Sequence, residues 1–498
     1  MHLRKILFFF FTLYAATFHA SSPAYADDSN YQDLLVGLKS AGMGGAFTAV
    51  ADDSFAGYYN PAGLAFIKRS RLSLRVLIYS LEKRDIEGGI QQPEGQGSLH
   101  FIDLLVERSS SGWVYKFGPK DESGNHVWAT GFSMFAPTNY WYSFRDNIDR
   151  TLNGKQRTAT HMFSHIDNSF FMGQSIARRW GNFGLGLTLY YYQRSIILDF
   201  SEHNTLLRCP QSPPGNCSLE SLHASVAHLS ALTGHINARL GLMWQPSDVL
   251  RLGATASLSS IRLWDITTFL IHATQTKDKG PPVRTVVNDR TLKSQVPIPW
   301  EFRLGMAYFP KEDVTIAADM VMYVPREQRL LQTDKPMRYL LYPDVIRRNI
   351  TINVHLGTEF AVSKDIKFRM GVYSNFSSSP EIPKFSHNAY LPQIHMFGVS
   401  VGAGVKYSNQ EFNIGLNFGY GRGTTQSVQT DPNWQFARAS QRNFWLQAHI
   451  SGVMEFAGYA ATQIAKKAIG SISAPKKSPS SSKASKKKKP TKQLPKKK

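Results

Sequence analysis

The sequence predicts an all-β protein: an antiparallel transmembrane β-barrel of about fourteen strands, its bore plugged by an N-terminal α-helical hatch. Three observations carry that expectation. Many segments alternate large apolar residues with small or polar ones at period two. Tight polar turns take strict turns with long links. A Gly-rich, largely apolar stretch stands ahead of the first strand.

The alternation is nearly free of error. Phe412, Ile414, Leu416, Phe418 and Tyr420 share one face of their segment, and Asn413, Gly415, Asn417 and Gly419 the other. Trp300, Phe302, Leu304, Met306 and Tyr308 likewise oppose Glu301, Arg303, Gly305 and Ala307. Ile366, Phe368, Met370 and Val372 oppose Lys367, Arg369, Gly371 and Tyr373. Successive side chains point to opposite faces of a strand, so each segment has one apolar and one wet face. A soluble sandwich alternates too, and the connections separate the two cases. Polar turns at 180–182, 245–248, 310–313, 363–365 and 408–411 intervene between long links near 201–225, 271–290, 325–347, 377–393 and 422–439. Barrels that span membranes have that rhythm of short turns at one end and long loops at the other. It places strands near 70–81, 105–118, 126–136, 159–179, 183–200, 226–244, 249–270, 291–309, 314–324, 348–361, 366–376, 394–407, 412–421 and 440–456. An even count brings both ends of the wall to the short-turn side, expected to be periplasmic. Residues 98–106 read as a helix or as the outer half of the second strand. Pro297 and Pro299 are expected at the outer start of their strand, where a missing ladder donor is tolerated. Trp180, Tyr190, Tyr191, Trp244, Tyr308, Phe309 and Tyr323 lie near strand ends and are expected in interfacial girdles.

Composition agrees with an exported chain. Arg4 and Lys5, the apolar run Ile6 to Phe18 and the small-residue site Ala24-Tyr25-Ala26 form a secretory signal over residues 1–26. Nothing after it approaches the roughly 18 apolar residues of a spanning helix. The net charge of +21 is mostly terminal: taking away the eleven lysines of residues 471–498, with Arg4 and Lys5, leaves +8 for the rest. Residues 457–498 therefore read as a Lys-, Ser- and Pro-rich disordered periplasmic tail, suited to anionic lipid or polymer and, in that compartment, not to nucleic acid. Cys209 and Cys217 are expected to form a disulfide closing a Pro-rich loop, since no matching His or Cys pair stands beside them to complete a metal site.

Residues 27–67 are the available stopper for a bore too wide to be filled by strand side chains. Gly42, Gly44 and Gly45 permit close packing against a wall. Ala46, Phe47, Ala49, Val50, Phe55 and Ala56 suit a short helical piece. Asp52 and Asp53 are expected to cap a helix or to pair with lumen cations. Pro61 fixes a bend, and Asn60 before it is biased away from helix. The stretch GLKSAGMGGAFTAVADDSFAGYYNPAGLAF (37–66), ending in Asn60-Pro61-Ala62, closely resembles the hatch of the FadL family of long-chain fatty acid transport proteins. PorV-type secretion barrels share much of the segment, so a structural or partner-binding barrel is the competing expectation. The FadL resemblance covers roughly residues 27–456. It implies a fourteen-stranded outer-membrane barrel (68–456) that takes up hydrophobic compounds such as fatty acids passively, without cofactor or catalysis. Cargo would collect in an apolar cleft, expected from Phe135 to Phe144 and Phe269 to Ile271, and leave after a hatch movement, with lateral exit through the wall. For an acidic cargo, Arg303, Lys367 and Arg369 are the candidate lumen cations; pairing with Glu301, Asp319, Glu359, Asp52 or Asp53 is the simpler expectation for all three.

Two motif matches are declined. Gly398-Val-Ser-Val-Gly402 has the spacing of a nucleophile elbow but lies inside an alternating strand, with Ser400 facing inward. Gly42, Gly44 and Gly45 follow no strand and do not form a dinucleotide fingerprint. His355 and His449 are expected on lumen faces.

Overall fold

The computed structural model describes residues 30–31, 35–37, 39–92, 95–106, 109–152, 154–209, 216–277, 280–333, 340–429 and 436–456. The expected export signal and the Lys-rich tail lie outside these residues.

The wall is a closed antiparallel barrel of fourteen strands. In chain order they are β1 (Ser70–Gln92), β2 (Gly95–Val106 and Ser110–Lys120), β3 (His126–Phe135 and Asn139–Leu152), β4 (Lys155–Trp180), β5 (Phe183–Arg208), β6 (Ser218–Ser247) and β7 (Leu250–Ser257 and Ile261–Lys277). The second half comprises β8 (Val283–Asp289 and Glu301–Lys311), β9 (Val314–Tyr323 and Arg326–Arg329), β10 (Val345–Arg348 and Thr351–Ala361), β11 (Ile366–Asn375), β12 (Gln393–Tyr407), β13 (Gln410–Gln429) and β14 (Phe436–Phe456). Each strand pairs with its sequence neighbours, and β14 closes on β1 from Ser70↔Phe456 to Glu87↔Ser440. Closure leaves no open sheet edge, the condition for strands to stand in hydrocarbon.

The expected alternation places the side chains. Leu185, Leu240, Leu304, Val399, Leu416 and Ile450 are exposed on the outer face, where acyl chains would cover them, while Thr188, Arg303, Ser400, Asn417 and His449 are buried inside. Trp180 and Trp244 sit outside near the tight turns, as expected of a girdle. Tyr190 and Tyr323 do not: both are buried inside, on the same parity as Thr188 and Val321. Phe309 also turns inward, against the plug-facing aromatic cluster.

Several strands run past the ranges the pattern gave. A strand needs about 9–11 residues to cross a bilayer, yet β4, β5 and β6 have 26, 26 and 30. Their extra length projects from the long-loop end, where the outer face meets water and the inner face packs against the loops. Residues 95–106 are strand, not helix. Cys209 and Cys217 are disulfide-bonded in the β5–β6 connection.

The wall departs from a continuous ladder at two places. Between β2 and β3, pairing ends at Ser111↔Met134, and no described pairing joins 95–106 to 139–152. Between β7 and β8, pairing lapses over 258–268 and 290–300. Pro297 and Pro299 therefore stand ahead of the strand that starts at Glu301, not within its outer start, and they bend inward to line a cavity. Neither has an N–H to hold the ladder to β7.

The plug contains α1 (Lys39–Gly42), α2 (Ala56–Tyr59) and a 3₁₀ turn (Pro61–Phe66). Residues 46–55 form turns instead of the expected helical piece. The backbone N–H groups of Phe47 and Thr48 go to the Asp319 carboxylate of β9, at 2.8 and 2.7 Å, and Ala51, at φ +30°, breaks any helical run.

Candidate functional site

Inside the wall three layers succeed one another, and a single strand shows all of them. Along β5 the inward residues are Thr188 and Tyr190 beside the plug, then Tyr192 and Arg194, then Ile196, Leu198 and Phe200. Along β6 the order is Gly241, then Arg239, Asn237 and His235, then Ala231, Leu229 and Ala227.

The first layer is the plug and its seat. Inward glycines let the plug backbone lie directly on the wall. A Cβ on Gly186 would fall 2.3 Å from Pro61, one on Gly241 2.2 Å from Asn60 Oδ1, and one on Gly357 or Gly371 2.3 Å from Met43. On the plug side, Gly44 and Gly45 have φ of +63° and +82° and face Gly371 and His355, so their substitution would meet strain and wall together. Gly42 lies against Arg369.

Polar contacts complete the seat. The Asn60 amide donates to the carbonyls of Thr48 (3.0 Å) and Leu242 (2.8 Å), while its oxygen accepts from the N–H of Ala62 (3.1 Å). This fixes Asn60 in extended conformation (φ −157°, ψ 104°) with Pro61 opening the 3₁₀ turn behind it. His355 Nδ1 is 2.7 Å from the Gly44 carbonyl, and the Ser400 hydroxyl donates to that of Gly42 (3.1 Å). Lys116 and Arg75 donate to the carbonyls of Ala65 and Leu35, at 2.7 and 2.8 Å.

The aspartates neither cap a helix nor pair with the lumen cations Arg303, Lys367 and Arg369. Asp52 pairs with Lys39 of the plug itself (2.9 Å), and Lys39 reaches on to Glu359 of β10 (2.8 Å). Burial works against the Lys39 ammonium, but the charges of Asp52 and Glu359 outweigh it and hold its pKa above the usual lysine range. Asp53 accepts the Phe55 N–H (2.8 Å) at the turn before α2. Burial, with the Asp52 charge beside it, raises the Asp53 carboxyl to about 7.

The three lumen cations lie at the plug, each with an acidic partner. Arg303 is buried, 2.5 Å from Glu301 and over the rings of Tyr58 and Tyr59. Arg369 pairs with Glu359 (2.6 Å) and Glu411 (2.8 Å), and Lys367 with Glu359 (3.5 Å). All of these ion pairs are made within the wall; Lys367 and Arg369 lie near the tight turns, and Arg303, nearer the cavity, reaches the plug through Tyr58 and Tyr59.

The second layer is a cavity of about 60 Å³ lined by Tyr58, Phe171, Tyr192, Arg239, Pro297 and Ile298 among others. It is smaller than the roughly 150 Å³ that accommodates a benzene ring, so it must widen to pass an organic solute. Arg239, which the sequence did not single out, is buried here. Its Nη2 meets Glu301 (2.8 Å) and its guanidinium stacks on Tyr58, while Nε and Nη1 have no hydrogen-bond partner among the described residues. Its inward parity on β6 was readable from the sequence; its convergence with Glu301 and Tyr58 from other elements was not.

The third layer is apolar. Ile196, Leu198, Leu229, Phe269 and Ile271 of the wall pack with Leu330, Leu340 and Tyr342 from the β9–β10 connection. Phe269 and Ile271 thus stand fully buried in a packed inner layer instead of lining an open cleft. Phe135 lies lower, stacked on Phe171 and edge-on to Tyr58. The side chains of Tyr140, Trp141, Tyr142 and Phe144 lie outside the described residues. No group of three or more His, Cys, Asp or Glu suited to a metal occurs among the described residues.

The architecture has solved counterparts. A Pseudomonas aeruginosa FadL homologue matches with a TM-score of 0.57 at 13% identity, over 88% of this chain and all of that one. The toluene transporter TodX of Pseudomonas putida matches at 0.51 and 16% identity, over 86% and 99%. A TodX variant described as a monoaromatic hydrocarbon channel matches at 0.53 and 15% identity, over 85% and 100%. No family model and no curated protein matches the sequence. The likeness is one of fold: the chain has the FadL-type barrel architecture its hatch implied.

Proposed function

We propose that this barrel is a passive, non-enzymatic channel of the outer membrane that takes up hydrophobic small molecules. The observation that carries the reading is the apolar layer on inward-facing wall positions, which a purely structural or partner-binding barrel does not require. A greasy solute would leave water at that layer, move to the cavity above the plug, and exit once the seat loosens. The break between β2 and β3, with Pro137 lining the cavity beside it, supports lateral exit into the membrane. Toluene, named for the TodX neighbours, and fatty acids are both apolar enough to partition into such a layer. For an acidic solute, Arg239 is the better placed cation, because its Nε and Nη1 are open to an acceptor while Arg303, Lys367 and Arg369 are paired with acids of the wall.

Expression in a Gram-negative strain lacking its own hydrophobic channel tests this. Uptake of labelled toluene or laurate is expected above the empty-vector rate, and equality for both would refute the reading. Arg239→Leu is expected to depress laurate uptake more than toluene uptake. Glu301 retains Arg303 in that variant, so the site is not left with an unpaired acid.

A further inference from the structure

The wall has a second weak place, far from the β2–β3 break. Strands β7 and β8 pair regularly up to Ser257↔Glu301 and again from Phe269↔Asp289. The intervening stretches, 258–268 and 290–300, have equal length, so no insertion accounts for the lapse. One backbone bond crosses it among the described residues, from Ser260 N to Ile298 O at 3.2 Å.

Side chains replace the missing ladder. Ser259 Oγ donates to the Ile298 carbonyl (2.9 Å), and Ser260 Oγ accepts its N–H (2.8 Å). Ser294 is held three ways: its carbonyl by Arg262 (2.8 Å), its N–H by Asp265 (3.0 Å) and its hydroxyl by Thr267 (2.8 Å). Such bonds satisfy the backbone, as hydrocarbon surroundings demand, but side chains can release where a ladder cannot without unzipping neighbours.

The seam faces lipid on one side and the cavity on the other. Ile261 and Ile266 of β7 pair with Ile236 and Leu232 of β6, whose side chains point outward, and the polar pair Thr268 and Ser230 follows two residues on. The seam therefore lies in the half of the apolar band remote from the tight turns. Ile261 and Ile266 are 68% and 65% exposed, against 47% and 44% for Leu240 and Leu242 on the adjacent strand. That excess is what a missing neighbour strand leaves. Inside, Ser257, Pro297, Ile298 and Pro299 line the cavity directly behind the seam.

We propose that the β7–β8 seam is a second lateral port, through which apolar solutes pass between the cavity and the leaflet remote from the tight turns. The port rests on the channel reading above. The 290–300 segment keeps its backbone bonds to 330–332 (Gln295 N to Leu330 O, 2.9 Å; Gln332 N to Lys293 O, 3.0 Å), and release of Ser294 and Ile298 from β7 parts the seam, opening a slot bounded by Leu258, Ile261 and Pro299.

Cross-linking tests it. In a Thr267→Cys/Ser294→Cys variant the two thiols replace hydroxyls already in contact, and Ser260→Cys/Ile298→Cys staples the other end of the seam. Uptake of labelled toluene and laurate is measured oxidised and reduced, with unsubstituted protein under both conditions controlling for Cys209–Cys217. Heat-modifiable gel migration reports barrel folding. The port predicts that a complete staple lowers uptake to the share carried by the β2–β3 break, below the reduced protein but above the empty vector, and that reduction restores it. Undiminished uptake with a complete staple overturns the port and leaves the channel reading standing. Unsubstituted protein that takes up neither probe overturns both. If one reduced pair is inactive, the other pair decides.

Discussion

Asn60→Ala should unseat the plug. The side chain is fully buried and makes three hydrogen bonds, tying Thr48 and Ala62 of the plug to each other and to Leu242 of the wall. Each bond contributes about 1 kcal/mol net, and a buried partner left unsatisfied costs about 1–3 kcal/mol. The substitution therefore destabilises the seated plug by roughly 3–6 kcal/mol, a hundred-fold to ten-thousand-fold rise in the unseated population at about 1.4 kcal/mol per decade. The barrel itself keeps its ladder, since Asn60 belongs to no strand. Conductance of the purified protein in planar bilayers, with vancomycin susceptibility of cells expressing it, reads the effect directly. Long open events and sensitised cells are expected. An Asn60→Ala barrel as tight as the parent by both measures, with the plug equally protected from protease, would refute the reasoning, because those bonds would then not be holding the seat.

Two further outcomes follow from the same seat. Asp319→Ala removes the carboxylate that receives the Phe47 and Thr48 N–H groups; hydrogen bonds to a charged group are worth about 1.5–3 kcal/mol each, so open events should rise at least as far as in Asn60→Ala. Asp53 gives a pH dependence. Its carboxyl is raised to about 7 in the seated plug, so the seated form binds the proton more tightly than the unseated one. Seating is then strongest while the carboxyl is protonated and weakens as pH climbs from about 4 toward 7. The parent should open more often at pH 8 than at pH 5, and Asp53→Asn should flatten that slope; a slope unchanged by the substitution would assign it to another group.

The barrel was legible because membrane-spanning strands must alternate, and their alternation survives any tilt or register. Phe412 to Tyr420 and Trp300 to Tyr308 pointed as they read. Legibility failed where alternation stops meaning membrane. Beyond the apolar band β4, β5 and β6 continue with water on one side and loops on the other, so their ends carry no period-two signal. Tyr190 and Tyr323 have the right residue type and the right nearness to strand ends for a girdle, and only their parity reveals that they point at the plug. The turns of residues 46–55 were unreadable for a different reason. The apolar spacing of Ala, Phe and Val suited a helix, but Asp319, far away in sequence, anchors the backbone at Phe47 and Thr48 and the chain turns at Ala51 with φ +30°. The site shows the same division. Asn60, Pro61 and the plug glycines announced themselves by type, whereas Arg239 acquires its importance from Glu301 and Tyr58, which come to it from other elements.

The glycine seat also limits how the bore can ever open. A cork that slid along its neck would have to travel about 6.6 Å, two residues of strand, before meeting the next inward side chain. There it would find Arg239 or Met243 in place of Gly241, and Arg369 or Tyr373 in place of Gly371. Both of these tracks end in a bulky residue above and below, so axial sliding is opposed by shape. Opening has to proceed by peeling the segment away from its bed or by unravelling it, which makes the transition discrete and gives the closed state one well-defined address.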